Sequence, residues 1–225
     1  MIRRATEPLP LTDLGPVAQL RAGRLPRRLM QLYAGLVLYG ASLALMVRSG
    51  LGLAPWDVLH SGFIRHVPIT LGQAVILFSF VVLLLWLPLR EVPGIGTVSN
   101  AIVVGLAADG TLALLDRPDA VGLRIGLLVA GVLLNGLATA LYIGAQLGRG
   151  PRDGLMTGLA RTTGRSLRLV RTSLEVTVVL IGVLLGGALG VGTIVYALAI
   201  GPLTQWMLPP WTVPVTPPSD PPTEA

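Results

Sequence analysis

Six long apolar runs, each bounded by glycine, proline or arginine, fill most of the chain between residues 29 and 209. They are Leu29–Val47, Leu71–Leu89, Ile95–Leu115, Ile125–Leu147, Leu169–Gly187 and Val191–Pro209. Each is about 20 residues long, the length an α-helix needs to cross the hydrocarbon core of a bilayer. The pattern predicts an all-α, polytopic membrane protein with six transmembrane helices. Arg28, Arg48, Arg90, Arg124, Arg149 and Arg171 stand near run ends. Trp86 and Trp206 lie near ends where an indole suits the headgroup zone.

Composition agrees with this class. The 225 residues are 52% hydrophobic and only 12% charged, with mean hydropathy +0.74; a soluble domain carries about 25% charged residues. A net charge of +6 invites a nucleic-acid partner, but all seventeen basic residues are Arg and most stand at the edges of apolar runs. They read as topology signals. With the N-terminus in the cytosol, thirteen arginines fall in cytosolic segments, and only Arg48, Arg65, Arg117 and Arg124 fall outside. The expectation is a multi-pass protein of the cytoplasmic (inner) membrane with both termini cytosolic. Lipid is then its one certain partner, and no nucleic acid is expected.

Two tails flank the membrane domain. Residues 1–28 mix Pro, acid and Arg, lack the apolar core of a cleavable signal, and read as a cytosolic arm. Residues 210–225 are rich enough in Pro to predict a disordered tail.

Within the membrane domain, 29–209, the chain repeats itself. "GLGLAPWDVLHSG" at Gly50–Gly62 returns ninety-six residues later as "QLGRGPRDGLMTG". In that register Gly52 falls on Gly148, Pro55 on Pro151, Asp57 on Asp153, Gly62 on Gly158 and Arg65 on Arg161. Arg28 falls on Arg124, and Gly94, Gly96, Thr97 and Gly105 fall on Gly190, Gly192, Thr193 and Gly201. Chance apolar similarity does not align Gly, Pro, Asp and Arg together. The chain reads as two units, 29–115 and 125–209, each a helix, a Gly-Pro segment and two more helices. Three spans per unit is an odd number, so the second copy enters from the opposite side: two inverted-topology three-helix repeats. Secondary transporters are commonly built this way, with Gly/Pro-interrupted segments approaching a midplane site.

The Gly-Pro segments carry the candidate chemistry. Gly50, Gly52, Gly148 and Gly150 release the backbone from the preceding helix, and Pro55 and Pro151 suit the first turn of a new one. From Pro55 to about His66, Asp57, Ser61 and Arg65 share one helix side. Asp153, Thr157 and Arg161 repeat that acid, hydroxyl and base. Two dispositions fit: each short helix lies in the headgroup plane and closes the bundle, or both dip inward so that Asp57 and Asp153 bound a solute cavity. Asp109 and Glu175 lie within apolar runs and are candidate coupling carboxylates. Four residues separate Glu175 from Arg171, so an ion pair competes with that role. Asn100 and Asn135 are expected to join helices. His60 and His66 lack further ligands at metal-binding spacing and are expected in an exposed loop.

No cysteine is present, and no nucleotide-binding, nucleophile-elbow or zincin motif occurs. The expectation is therefore no catalytic residues, no metal, no cofactor and no enzymatic activity.

The segments "GLGLAPWDVLHSG", "PGIGTVSNAIVVGLAADG" and "GRGPRDGLMTGLARTTGRSLRLVRTSLEV" together resemble the bacterial YczE-like membrane proteins, grouped with the YyaS and YitT types. The resemblance runs roughly from Arg28 to Gln205. It implies a polytopic inner-membrane protein of transporter-like type and carries over no site residues. The function expected is binding or movement of a small solute between the two repeats. The rivals are a substrate-capture subunit of a larger transporter and a non-transporting scaffold or signalling protein, with a homo-oligomer or transporter partner as associates.

Overall fold

The computed structural model describes residues 11 and 14–216. Among these residues are nine α-helices and no strand: α1 (Pro16–Arg21), α2 (Leu25–Ser49), α3 (Pro55–Phe63), α4 (Leu71–Leu89), α5 (Ile95–Leu114), α6 (Val121–Gly144), α7 (Pro151–Thr163), α8 (Leu167–Leu184) and α9 (Val191–Trp211). The helices α2 to α5 start at 25, 55, 71 and 95, and α6 to α9 each start ninety-six residues later. The register read from the sequence is thus a register of helix starts. Proline stands in the first turn of α2, α3 and α7, where its missing N–H costs no hydrogen bond. Thr70 and Gln73 close a capping box on α4.

Five helices, α2, α4, α5, α6 and α9, are long and apolar enough to cross a membrane. The sixth expected span, Leu169–Gly187, differs. Its helix α8 is 18 residues long and carries Arg168, Arg171 and Glu175 in its first half, so its composition is not that of a lipid-facing span.

The longest packing runs between α2 and α6, flanked by α5 on α2 and α9 on α6. Helices α2 and α6 are antiparallel. Arg28, at the start of α2, donates to the carbonyls of Ala145 (2.8 Å) and Gln146 (2.6 Å) just past the end of α6. Arg124, at the start of α6, donates to Ser49 (2.7 Å) and Gly50 (3.1 Å) at the end of α2. The same exchange recurs at the loops: Gly192 N–H donates to Leu51 and Gly96 N–H to Leu147, both at 2.8 Å. Gly52 and Gly148 turn the chain there with φ of 126° and 123°, a conformation that side chains disfavour. Around this frame α3 packs on α8 and α7 on α4, with Trp56, Leu59, Val82, Trp86, Leu155 and Val178 forming one buried cluster among the four.

Four expectations are corrected. Trp86 is buried in the protein, not turned to headgroups: its indole donates to the Pro151 carbonyl at 2.9 Å, against a Gly154 with no side chain to exclude it. His60 is buried, not exposed, because α3 is covered by α8 and α4; His66 is exposed. The C-terminal segment is ordered at its start. Val213 is buried, its N–H donates to Gly144 and its carbonyl accepts from Gln146, while Thr216 N–H donates to Ala22. Those partners fix residues 212–216, and residues 217–225 lie outside the described residues. Likewise Arg28, placed in the cytosolic arm, is fully buried within α2.

Candidate functional site

Helices α3 and α7 follow the far ends of the antiparallel pair α2 and α6, yet their first turns meet. The Arg152 guanidinium lies 5.0 Å from the centre of the Trp56 ring, and its Nη2 is 3.7 Å from Asp57 Oδ1. Asp57 also pairs with His60 at 3.1 Å. Both segments therefore turn back toward the middle of the protein after leaving α2 and α6. On the other side of this junction, Tyr142 donates its hydroxyl to Asp153. Tyr39 packs edge-on against Tyr142, with ring centres 6.2 Å apart. Tyr196 donates to Asn135 (3.0 Å), which donates to Ser42 (2.8 Å), so Asn135 joins α2, α6 and α9 as expected of a polar residue in a bundle.

Two cavities meet at this junction. One, of about 220 Å³, lies between α8 and α9 and is lined by Trp56, Arg171, Glu175, Tyr196, Ile200, Gly201 and Thr204 among others. The second, of about 50 Å³, is lined by Val75, Ser79, Asn100 and Val104 of α4 and α5. Tyr39, Tyr142, Arg152 and Asp153 line both. The two are counterparts in the repeat register: Arg171 answers Val75, Glu175 answers Ser79, Tyr196 answers Asn100 and Ile200 answers Val104.

Their unequal size has a local cause. Helix α4 packs along α5, whereas α8 and α9 make no comparable contact. A Cβ at Gly72 would collide with the Gly105 carbonyl, and one at Gly105 with that of Gly72, so this seam closes only because both are glycine. At the counterpart seam Arg168 stands in place of Gly72, and a Cβ at Gly201 would meet nothing within 4 Å. A bulky, charged residue has replaced half of the glycine pair, and the seam is open.

Wider vestibules flank the junction. Gly52, Ser61, Leu71 and Asp109 line one of about 480 Å³. Gly148, Asp153, Thr157 and Leu167 line another of about 380 Å³. Gly52, Ser61 and Leu71 correspond to Gly148, Thr157 and Leu167, so these too are counterparts.

The structure therefore divides the candidate residues. Asp57 and Asp153 approach the junction, and Glu175 faces the larger cavity while pairing with Arg171 at 2.9 Å. Ser61 and Thr157 line the vestibules, where Thr157 accepts from Arg149 at 3.1 Å. Arg65 lies past the end of α3, which stops at Phe63, and is exposed. Arg161 pairs with Glu91 at 3.1 Å and donates to Leu89. Asp109 caps α4, accepting from the Thr70 hydroxyl and from Gly72 N–H at 2.8 Å. Sequence reasoning missed Arg152, Trp56 and the three tyrosines. One signal was present: Trp56 and Arg152 occupy the same register position beside the repeated Asp, and an arginine opposite an indole is a stacking pair. Among the described residues no group of His, Cys, Asp and Glu could hold a metal ion.

A family model described as "Family of unknown function (DUF6198)" matches residues 26–209. The chain belongs to the DUF6198 family. The matched region holds every residue lining the two central cavities. An uncharacterized protein of Haemophilus influenzae is 42% identical over 173 residues, covering 77% of this chain and 79% of its own. The "uncharacterized membrane protein YczE" of Bacillus subtilis is 31% identical over 179 residues, 79% of this chain and 83% of its own. The uncharacterized protein YyaS of the same organism is 24% identical over 179 residues, with 78% and 89% coverage. This DUF6198 protein is thus a YczE-like membrane protein. No solved structure matches it.

Proposed function

We propose that the protein binds a small solute at the junction of α3 and α7 and moves it across the cytoplasmic membrane. In this reading α8 is the sixth span, with Arg171 and Glu175 lining the cavity and Arg168 at its cytosolic start, and residues 29–115 and 125–209 are inverted repeats with both termini cytosolic. The observation that carries the reading is the pair of counterpart cavities, about 220 and 50 Å³, which share Arg152 and Asp153. Two equivalent seams, one open and one shut, on either side of one set of residues is the arrangement alternating access requires. Closing the α8–α9 seam while the Gly72–Gly105 seam parts would expose the junction to the other side. Glu175, beside Arg171 in the open cavity, is the better-placed coupling carboxylate. Asp109 would act by releasing the start of α4 as its seam opens.

Cysteine accessibility in intact cells tests this, since the chain has no native Cys. Thr204 and Ala108 are counterparts on the open and shut seams. Thr204→Cys should react with maleimide from the cytosolic side, and Ala108→Cys should be silent. Adding Gly201→Trp to plug the open seam should reverse the pair. If Ala108→Cys stays silent when Thr204→Cys is shielded, the seams do not exchange and the transport reading fails.

A further inference from the structure

The larger cavity holds two cations and two anions, and none of the four is fully matched. Arg152 is about four-fifths buried, yet its guanidinium donates no hydrogen bond among the described residues; it has only the Trp56 ring and the 3.7 Å approach to Asp57. A guanidinium carries five N–H donors in a planar fork suited to a carboxylate, and that of Arg152 lines the cavity with its donors open to a ligand. Arg171, about half exposed, pairs through its Nε with Glu175 Oε1 among the described residues. On the acceptor side, Glu175 Oε2 has no donor among the described residues, and Asp153 receives the Tyr142 hydroxyl.

Charge then narrows the solute. Arg152 and Arg171 balance Asp153 and Glu175, and Asp57 behind Arg152 adds a further negative charge. A bare carboxylate on Arg152 would leave the chamber with two excess negative charges, costly in a low-dielectric interior. A bare amine would restore charge balance but leave the Arg152 fork unmet. A solute with both groups fills the Arg152 fork, supplies an ammonium to the carboxylates and adds no net charge to the chamber, and Tyr39, Tyr142 and Tyr196 line the space around its cationic end.

Building on the transport reading, we infer that the α8–α9 cavity takes a small zwitterion of the amino-acid class. Its carboxylate lies on Arg152, and its ammonium is directed to Asp153 and Glu175. At about 220 Å³ the cavity offers the space of roughly seven waters at their liquid volume, which sets the scale at a small amino acid.

The full chain carrying Thr204→Cys, purified in detergent, tests this by protection from maleimide. Three pools are compared at matched concentration: the common L-amino acids, the corresponding monocarboxylates without the amino group, and the corresponding amines without the carboxyl group. Protection by the amino-acid pool alone is the expected result. Arg152→Gln should raise the concentration needed for half-protection at least about tenfold, the worth of a hydrogen bond to a charged group, with the unprotected labelling rate unchanged as the check on folding. Glu175→Gln should shift protection toward the monocarboxylates. Labelling that only the monocarboxylate or amine pool slows, or that no pool slows, overturns the zwitterion assignment and leaves the open seam standing. Absence of labelling at Thr204→Cys removes the cavity reading itself and this assignment with it.

Discussion

Arg28 and Arg124 occupy the same position in the two halves of the chain, and each caps the other half's first long helix. Arg28 holds Ala145 and Gln146; Arg124 holds Ser49 and Gly50. A guanidinium at the end of a helix satisfies carbonyls that no intrahelical N–H reaches and opposes the negative end of the dipole. Because the exchange is reciprocal, it fixes α2 and α6 as antiparallel neighbours in a single register.

The two caps differ in burial, and so should their removal. Arg28 is fully buried and Arg124 half-buried. Arg28→Ala strands buried carbonyls and should destabilise by about 2–4 kcal/mol, Arg124→Ala by about 1 kcal/mol. Thermal unfolding in detergent compares them. Arg28→Lys should not rescue, since an ammonium on a flexible stem lacks the fork that spans two carbonyls.

The open and shut seams predict opposite outcomes for one substitution at equivalent sites. Gly105→Ala forces a methyl against the Gly72 carbonyl and should cost about 1–3 kcal/mol. Gly201→Ala meets open space and should be neutral or stabilising by up to about 1 kcal/mol through helix propensity. Paired melting curves of the two variants read the asymmetry directly, and equal losses would contradict it.

Much of this architecture is legible in the sequence, and particular residues show why the remainder is not. Helix starts followed from apolar run lengths and from the Gly-Pro pairs, because bilayer thickness and proline sterics act locally. The register identified Asp57 with Asp153, but equivalence does not say which residues meet. The contact across the copies is Asp57 with Arg152, a neighbour of its counterpart. In the sequence Arg152 reads as a topology arginine, because sequence position cannot distinguish a loop at the surface from one folded back into the bundle. By sequence the charges in α8 are edge residues of a span, whereas Arg171 and Glu175 line a cavity. The Pro-rich tail was read by composition alone, and composition is blind to acceptors and donors on Gly144 and Gln146.

Those tail contacts give a sharp boundary for truncation. Ending the chain after Thr216 should leave folding intact. Ending it after Trp211 removes the buried Val213 and leaves the Gln146 amide without the Val213 carbonyl, and should lower the midpoint of thermal unfolding by several degrees, a loss on the order of 2 kcal/mol. Size-exclusion profiles and melts of the two truncations separate the cases.

Trp86 offers a test of the α4–α7 contact. Trp86→Phe keeps the ring on Gly154 but deletes the hydrogen bond to Pro151, and should cost about 1 kcal/mol. Trp86→Ala should cost about 3–5 kcal/mol by leaving a cavity. Near-equal effects in unfolding experiments would show that the indole is not packed as described.

The proposed inversion of the two halves places Ser61 and Thr157 on opposite sides of the membrane. They are counterparts lining the two flanking vestibules, in a chain free of native cysteine. Single cysteines at these positions, probed in intact cells with a membrane-impermeant maleimide, should label on opposite sides: Ser61→Cys from outside, Thr157→Cys only once the membrane is opened. Labelling of both from the same side would contradict the inverted arrangement and the alternating cavities built on it.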